Sequence, residues 1–104
     1  MKTVSNKSVL ENVISEGNTC LKFSAEWCGP CRVLGENIES IESDYPHVNF
    51  IEVDVGEADE DLINKYNIRN IPVLFFIKDG EVLSKEIGLM GVDVLTEKIN
   101  EYYG

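Results

Sequence analysis

The chain is expected to fold as an α/β protein, a mixed five-stranded sheet flanked by four helices. Three observations predict this. Strand-like and helix-like apolar patterns alternate through the first two thirds of the sequence, which implies parallel strands joined by right-handed crossovers. Asp79-Gly80 then separates two strand-like runs as a hairpin signal, so the final strands are antiparallel. Two runs, Cys20 to Ala25 and Val73 to Ile77, are apolar enough to be central strands.

The elements follow in order. Met1 to Val4 reads as a short edge strand. Ser8 stands three residues before Glu11, a capping-box pattern that starts a helix with Val9, Leu10, Val13 and Ile14 on one face. Gly17 ends it. Cys20 to Ala25 is the first long strand. Cys31 to about Asp44 is a helix whose buried stripe is Val33, Leu34, Ile38 and Ile41, and Pro46 stops it. Val48 to Val55 is a strand rich in β-branched residues. Asp59 to Tyr66 is a short helix carrying Leu62, Ile63 and Tyr66. Val73 to Ile77 and Glu81 to Ile87 form the hairpin. Val92, Leu95 and Ile99 turn the last helix inward.

A length of 104 residues with 43% hydrophobic content suits one domain over residues 1–104. Nine basic against nineteen acidic residues give a net charge of −10. Phosphate backbones and anionic lipid repel such a chain, so nucleic acid and membrane surfaces are not expected partners. The first twenty residues interrupt their apolar positions with Lys, Asn, Ser and Glu, so no secretory h-region is expected. The longest apolar stretch, Ile71 to Ile77, has seven residues and includes a proline; a membrane helix needs about 20. A cytoplasmic monomer without cofactor or metal is expected. Three cysteines, an odd number, argue against a structural disulfide framework. In the cytosol a close cysteine pair is more often catalytic or metal-binding.

Cys28-Gly29-Pro30-Cys31 follows a strand and opens a helix. Two cysteines three positions apart there can close a small disulfide ring. The helix N-terminus, with its unpaired N–H groups and positive dipole end, favours thiolate over thiol. The effect falls on Cys28, at the open end, while Cys31 lies within the first turn. Cys28 is therefore the expected nucleophile and Cys31 the resolving thiol of a disulfide exchange. Pro30 presets φ and lacks an N–H to leave unpaired, and Gly29 lets another backbone approach. Zinc would need four ligands. Cys20 and His47 would have to join the pair, but a helix roughly 20 Å long separates His47 from Cys31.

Phe23-Ser-Ala-Glu-Trp-Cys-Gly-Pro-Cys31 resembles the active-site segment of the thioredoxins. Asn67-Ile-Arg-Asn-Ile-Pro-Val73 resembles their second active-site loop, and Lys78-Asp-Gly-Glu81 their hairpin. The similarity runs in order along nearly the whole chain. It implies the thioredoxin fold and a protein-disulfide reductase. It also implies disulfide-containing client proteins and a thioredoxin reductase, flavoprotein or ferredoxin-linked, as partners. Pro72 resembles the family's cis-proline opposite the cysteines, where the Ile71 backbone can pair with an extended client segment. Trp27, Gly29, Pro30, Ile71, Pro72, Gly88 and Leu89 would form the docking surface. The Gly-Pro spacer favours a reductase over an oxidase or isomerase. The intact cysteine pair argues against a non-catalytic scaffold.

The sequence departs from the family beneath this motif. A buried Asp is usual where Lys22 stands, and a Lys where Glu52 stands, so both signs are reversed. A swapped Lys22–Glu52 ion pair is expected, since a lone buried charge costs far more than a paired one. Glu52 would then take the role of the family's Asp in removing the proton of Cys31. Ser24 replaces an aromatic and opens the region beside the site. Glu36 stands where a helix-kinking proline is frequent, with Gly35 beside it to permit a bend. Asn70 replaces a common glycine at the groove's rim. Cys20 has no motif partner and is expected to pack in the core. Arg32 and His47 are expected at the surface.

Overall fold

The computed structural model describes residues 1–104. Five strands form one sheet in the order β1-β3-β2-β4-β5. They are β1 (Lys2–Thr3), β2 (Asn18–Ser24), β3 (Val48–Asp54), β4 (Val73–Lys78) and β5 (Glu81–Ile87). The first three are parallel, and β4 and β5 run antiparallel to their neighbours. The helices are α1 (Lys7–Ile14), α2 (Gly29–Ile41), α3 (Glu60–Lys65) and α4 (Val92–Tyr103). This is the expected mixed sheet with four helices, and the two apolar runs are interior strands.

Alternation along the strands divides the core. Leu21 and Phe23 of β2, Ile51 and Val53 of β3, and Val73, Phe75 and Ile77 of β4 face Leu10 and Ile14 of α1 and Leu62 of α3. Cys20, Phe50, Leu74 and Phe76 face Leu34, Ile38 and Ile41 of α2 and Leu95 and Ile99 of α4. Successive strand residues point to opposite faces, so each strand contributes to both layers. No helix is long and apolar enough to cross a membrane.

Several local expectations shift. The N-cap of α1 is Asn6, not Ser8. Asn6 Oδ1 accepts the Val9 N–H at 3.1 Å, and Ser8 Oγ donates to the same oxygen at 2.6 Å. Asn is as good a cap as Ser, and here it lies two residues nearer the preceding strand. Glu11 therefore does not reach back to a cap but pairs with Lys65 at 2.7 Å. Val33 is 42% exposed. The buried stripe of α2 is Cys31, Leu34, Gly35, Ile38 and Ile41, a three-and-four spacing that starts one turn earlier. The hairpin forms at Asp79-Gly80, where φ is positive at both residues (49° and 82°), the backbone of a two-residue primed turn.

The stripe of α4 runs on past Ile99 to Tyr103. The Tyr103 hydroxyl accepts the Ile77 N–H at 2.8 Å and donates to the Thr19 carbonyl at 2.7 Å. It meets β4 where its pairing with β5 shifts register, between Phe76 and Ile77. The last helix is thereby tied to the sheet by a polar contact as well as by packing.

Candidate active site

Strand register gathers the site at one end of the strands. β2 ends at Ser24, which pairs with Asp54 at the end of β3. β4 begins at Val73 opposite Phe23, so Pro72 lies level with the chain leaving β2. β5 ends at Ile87 opposite Val73, and the Gly88 N–H donates to the Pro72 carbonyl at 2.8 Å. Cys28, Ile71, Pro72, Gly88 and Leu89, scattered over sixty residues of sequence, therefore share one end of the molecule. The Ile71–Pro72 peptide is cis.

Cys28 and Cys31 form a disulfide with Cα atoms 5.3 Å apart. Cys28 is the N-cap of α2, with extended φ and ψ of −93° and 111°. Its Sγ accepts the Cys31 N–H at 3.2 Å. The sulfur thus occupies the position where a cap oxygen normally satisfies a free helix donor. Cys31 is 1% exposed and Cys28 7%. Ala25 completes a small apolar cluster with them, and Ile71 and Val55 pack against it.

Beneath the disulfide lies a charged cluster. Lys22 Nζ is 2.7 Å from Glu52 Oε2, and Ser24 Oγ donates to that same oxygen at 3.0 Å. The Lys22 side chain is 3% exposed and that of Glu52 29%. An open cleft of about 400 Å³ connects this cluster, Cys31 and Arg32 to solvent. Register explains the pair: Lys22 and Glu52 are direct partners on parallel strands, on the face covered by α2. A buried ammonium requires such a partner, and here it has one that solvent also reaches.

The rim residues differ in exposure. Trp27 is 78% exposed and Leu89 50%. Gly29 and Pro30 are exposed, Ile71 and Gly88 half-buried, and Pro72 buried. A Cβ at Gly29 would meet nothing within 4 Å, so that face of the ring is open to an approaching chain. Arg32 is exposed, and one guanidinium nitrogen donates to the Glu26 carbonyl at 3.3 Å. No three His, Cys, Asp or Glu side chains converge on a point that could hold a metal ion.

Two contacts in this cluster lie outside the sequence reading. Ser24 contributes a donor to Glu52, not just space. Gly35 faces Lys22: a Cβ built there would lie 2.9 Å from Nζ. Gly35 was read as permitting a bend; a glycine in the middle of a helix, costly beside alanine, is the signal from which a close approach could have been read. Cys20 is a different thiol altogether. It is 2% exposed among apolar side chains, and burial pushes it up to about 12.

A sheet of this order, with a CxxC disulfide capping the helix after its central strand, defines a thiol–disulfide oxidoreductase. The chain belongs to the thioredoxin family: the family's sequence model, described as Thioredoxin, matches residues 1–101. The chain is 37% identical to a thioredoxin of Mycoplasmoides gallisepticum over 98 residues, covering 93% of this chain and 97% of that protein. It is 30% identical to a thioredoxin of Chlamydia trachomatis over 102 residues, covering 98% of each. Among solved structures, Fasciola hepatica thioredoxin superposes with a TM-score of 0.89 at 31% identity, over 98% of this chain and 99% of that one. The protein is a protein-disulfide reductase, with disulfide-containing substrates and a reductase as its general partners.

Proposed function

We propose that the chain is a cytoplasmic, monomeric reductase acting through a mixed disulfide, with Cys28 as nucleophile and Cys31 as resolving thiol. The Cys28 thiolate attacks one sulfur of a client disulfide. That S–S bond breaks, and its electron pair leaves on the second client sulfur. Cys31, losing its proton to Glu52, then attacks Cys28 Sγ. The client's first sulfur departs as a thiolate and takes a proton from solvent. Two electrons have moved to the client, and the chain holds the Cys28–Cys31 disulfide. A thioredoxin reductase, a flavoprotein or a ferredoxin-linked enzyme, returns them. A reducing compartment fits this chemistry.

The observation that carries the reading is the N-cap position of Cys28, whose sulfur accepts the Cys31 N–H. It favours the departing or attacking charge on Cys28. Trp27, Gly29, Pro30, Ile71, Pro72, Gly88 and Leu89 form the client surface, supported by the exposure of Trp27 and Leu89 and the open space at Gly29. Lys22 holds Glu52 beside Cys31, supported by their shared cleft. Insulin reduction with dithiothreitol tests the scheme. Cys28→Ser is expected to fall to the uncatalysed rate. Glu52→Gln is expected to move the resolution step to higher pH, and an unchanged profile removes Glu52 from the mechanism.

A further inference from the structure

Lys22 reaches its position only because residue 35 has no side chain. A Cβ on Gly35 would stand 2.9 Å from the ammonium, closer than carbon and nitrogen approach without bonding. Gly35 is buried in the stripe of α2 that includes Cys31. Residues four apart stack on one helix face, with Cβ positions about 5–6 Å apart. The ammonium is therefore seated against the helix one turn beyond Cys31. The same Nζ is held by Glu52 at 2.7 Å.

We propose that Gly35 is a positioning residue for the resolving step: its missing Cβ seats the Lys22 ammonium beside Cys31. This rests on the reading that the charged cluster serves Cys31. A lysine side chain is flexible, so alanine at position 35 is accommodated by displacing the ammonium. The helix backbone need not move. The groups that line the cleft with Cys31 are Lys22 from β2, Glu52 and Asp54 from β3, Glu26 from the loop and Arg32 from α2. Lys22 alone among them is in contact with position 35. Moving it away withdraws a positive charge from the Cys31 thiolate and loosens the hold on Glu52.

The test uses the full chain, reduced, and Ellman's reagent. Cys28 attack releases one thionitrobenzoate, and Cys31 attack on the resulting mixed disulfide releases a second. Gly35→Ala is expected to slow the second release about tenfold at neutral pH and to move its rise to higher pH, as loss of a nearby opposite charge does. The first release should stay within about twofold, since the N-cap is untouched. In a Lys22→Met background the same Gly35→Ala change is expected to leave the second release unaltered. It should there raise the unfolding midpoint, alanine being the better helix former. Equal slowing in both backgrounds, or no slowing with Lys22 present, overturns the proposal. Failure of Gly35→Ala to fold in either background overturns it too, because the displaced ammonium is what should absorb the added Cβ. Glu52→Gln separates the two readings: an unchanged pH profile there removes the proton acceptor, while Gly35 is judged on its dependence on Lys22.

Discussion

The two faces of β2 are built differently. Leu21 and Phe23 point toward α1 and α3 into an apolar layer. Cys20, on the other face, sits among Phe50 and Phe76. Two residues further along that face the core becomes ionic, with Lys22 against Glu52 and Ser24 donating to the same carboxylate. The change occurs where the first turns of α2 cover the sheet and bring Cys31 down onto it. Apolar packing would hold that helix as well or better, because a buried ion pair contributes little net stability. Ionisable groups gathered next to a reactive sulfur fit the role proposed for them in its chemistry.

The largest expected effect comes from breaking the apolar face. Phe23→Ala removes a fully buried ring that packs against Tyr66 and Phe75. It should cost about 3–5 kcal/mol in urea denaturation, with little change in the Cys28 reaction of the molecules that remain folded. On the ionic face, Lys22→Ala should cost about 2–3 kcal/mol. It leaves a cavity and a carboxylate without its cation, softened because solvent reaches Glu52. Lys22→Met fills the space but leaves the same carboxylate unpaired, so it should cost less, about 1–2 kcal/mol; a methionine as harmful as alanine would show that the charge itself stabilises the fold.

Cys20 sharpens the contrast further along the strand. Burial raises its pKa from 9.0 to about 12. The folded state thus holds its proton more tightly than the unfolded chain does. The stability this contributes is complete below pH 9 and is lost as pH rises toward about 12. Oxidised protein should be about 1 kcal/mol less stable at pH 10 than at pH 8 on this account. Tyr103, raised by burial in the same core, adds to the loss at higher pH. Cys20→Ala should flatten the slope between pH 8 and 10, and an undiminished slope would place its origin elsewhere. The smallest effect is at the surface. Lys65 and Glu11 also meet at 2.7 Å, but their side chains are 41% and 44% exposed. The Lys65 hydrogen bond holds the Glu11 carboxyl below its ordinary range. Lys65→Ala should nevertheless leave the melting temperature unchanged in physiological salt, since water and ions screen such pairs.

Much of this was readable from local pattern. The hairpin at Asp79-Gly80 and the apolar strands on either side of it need only turn chemistry and alternation. The α2 stripe was half readable: Leu34, Ile38 and Ile41 were expected. Val33 reads as inward on hydrophobicity alone, but helical periodicity turns it away from the side that carries Leu34, Ile38 and Ile41. Asn6 caps α1 in place of Ser8 because both residues are good caps and neighbouring structure chose between them. Tyr103 continues the four-residue spacing of Leu95 and Ile99. Its hydroxyl contacts with Thr19 and Ile77 depend on a strand pairing that no local pattern reveals.

By itself the sequence determined the reactive chemistry and its place in the fold. Cys28 and Cys31 lie three apart at a strand-to-helix junction, and short-range geometry alone then fixes which sulfur caps the helix. A Lys22–Glu52 pair under those sulfurs was expected, but only the tertiary structure decided what completes it. Lys22, Ser24 and Glu52 are separate departures along the chain and Gly35 is a mid-helix glycine, and parallel register with helix packing turns the four into one cluster. Contacts across thirty residues depend on how strands align and on how closely a helix approaches them. Both are properties of the packed whole, because a side chain must be opposite another, and have room beside it, before charge or size has any effect.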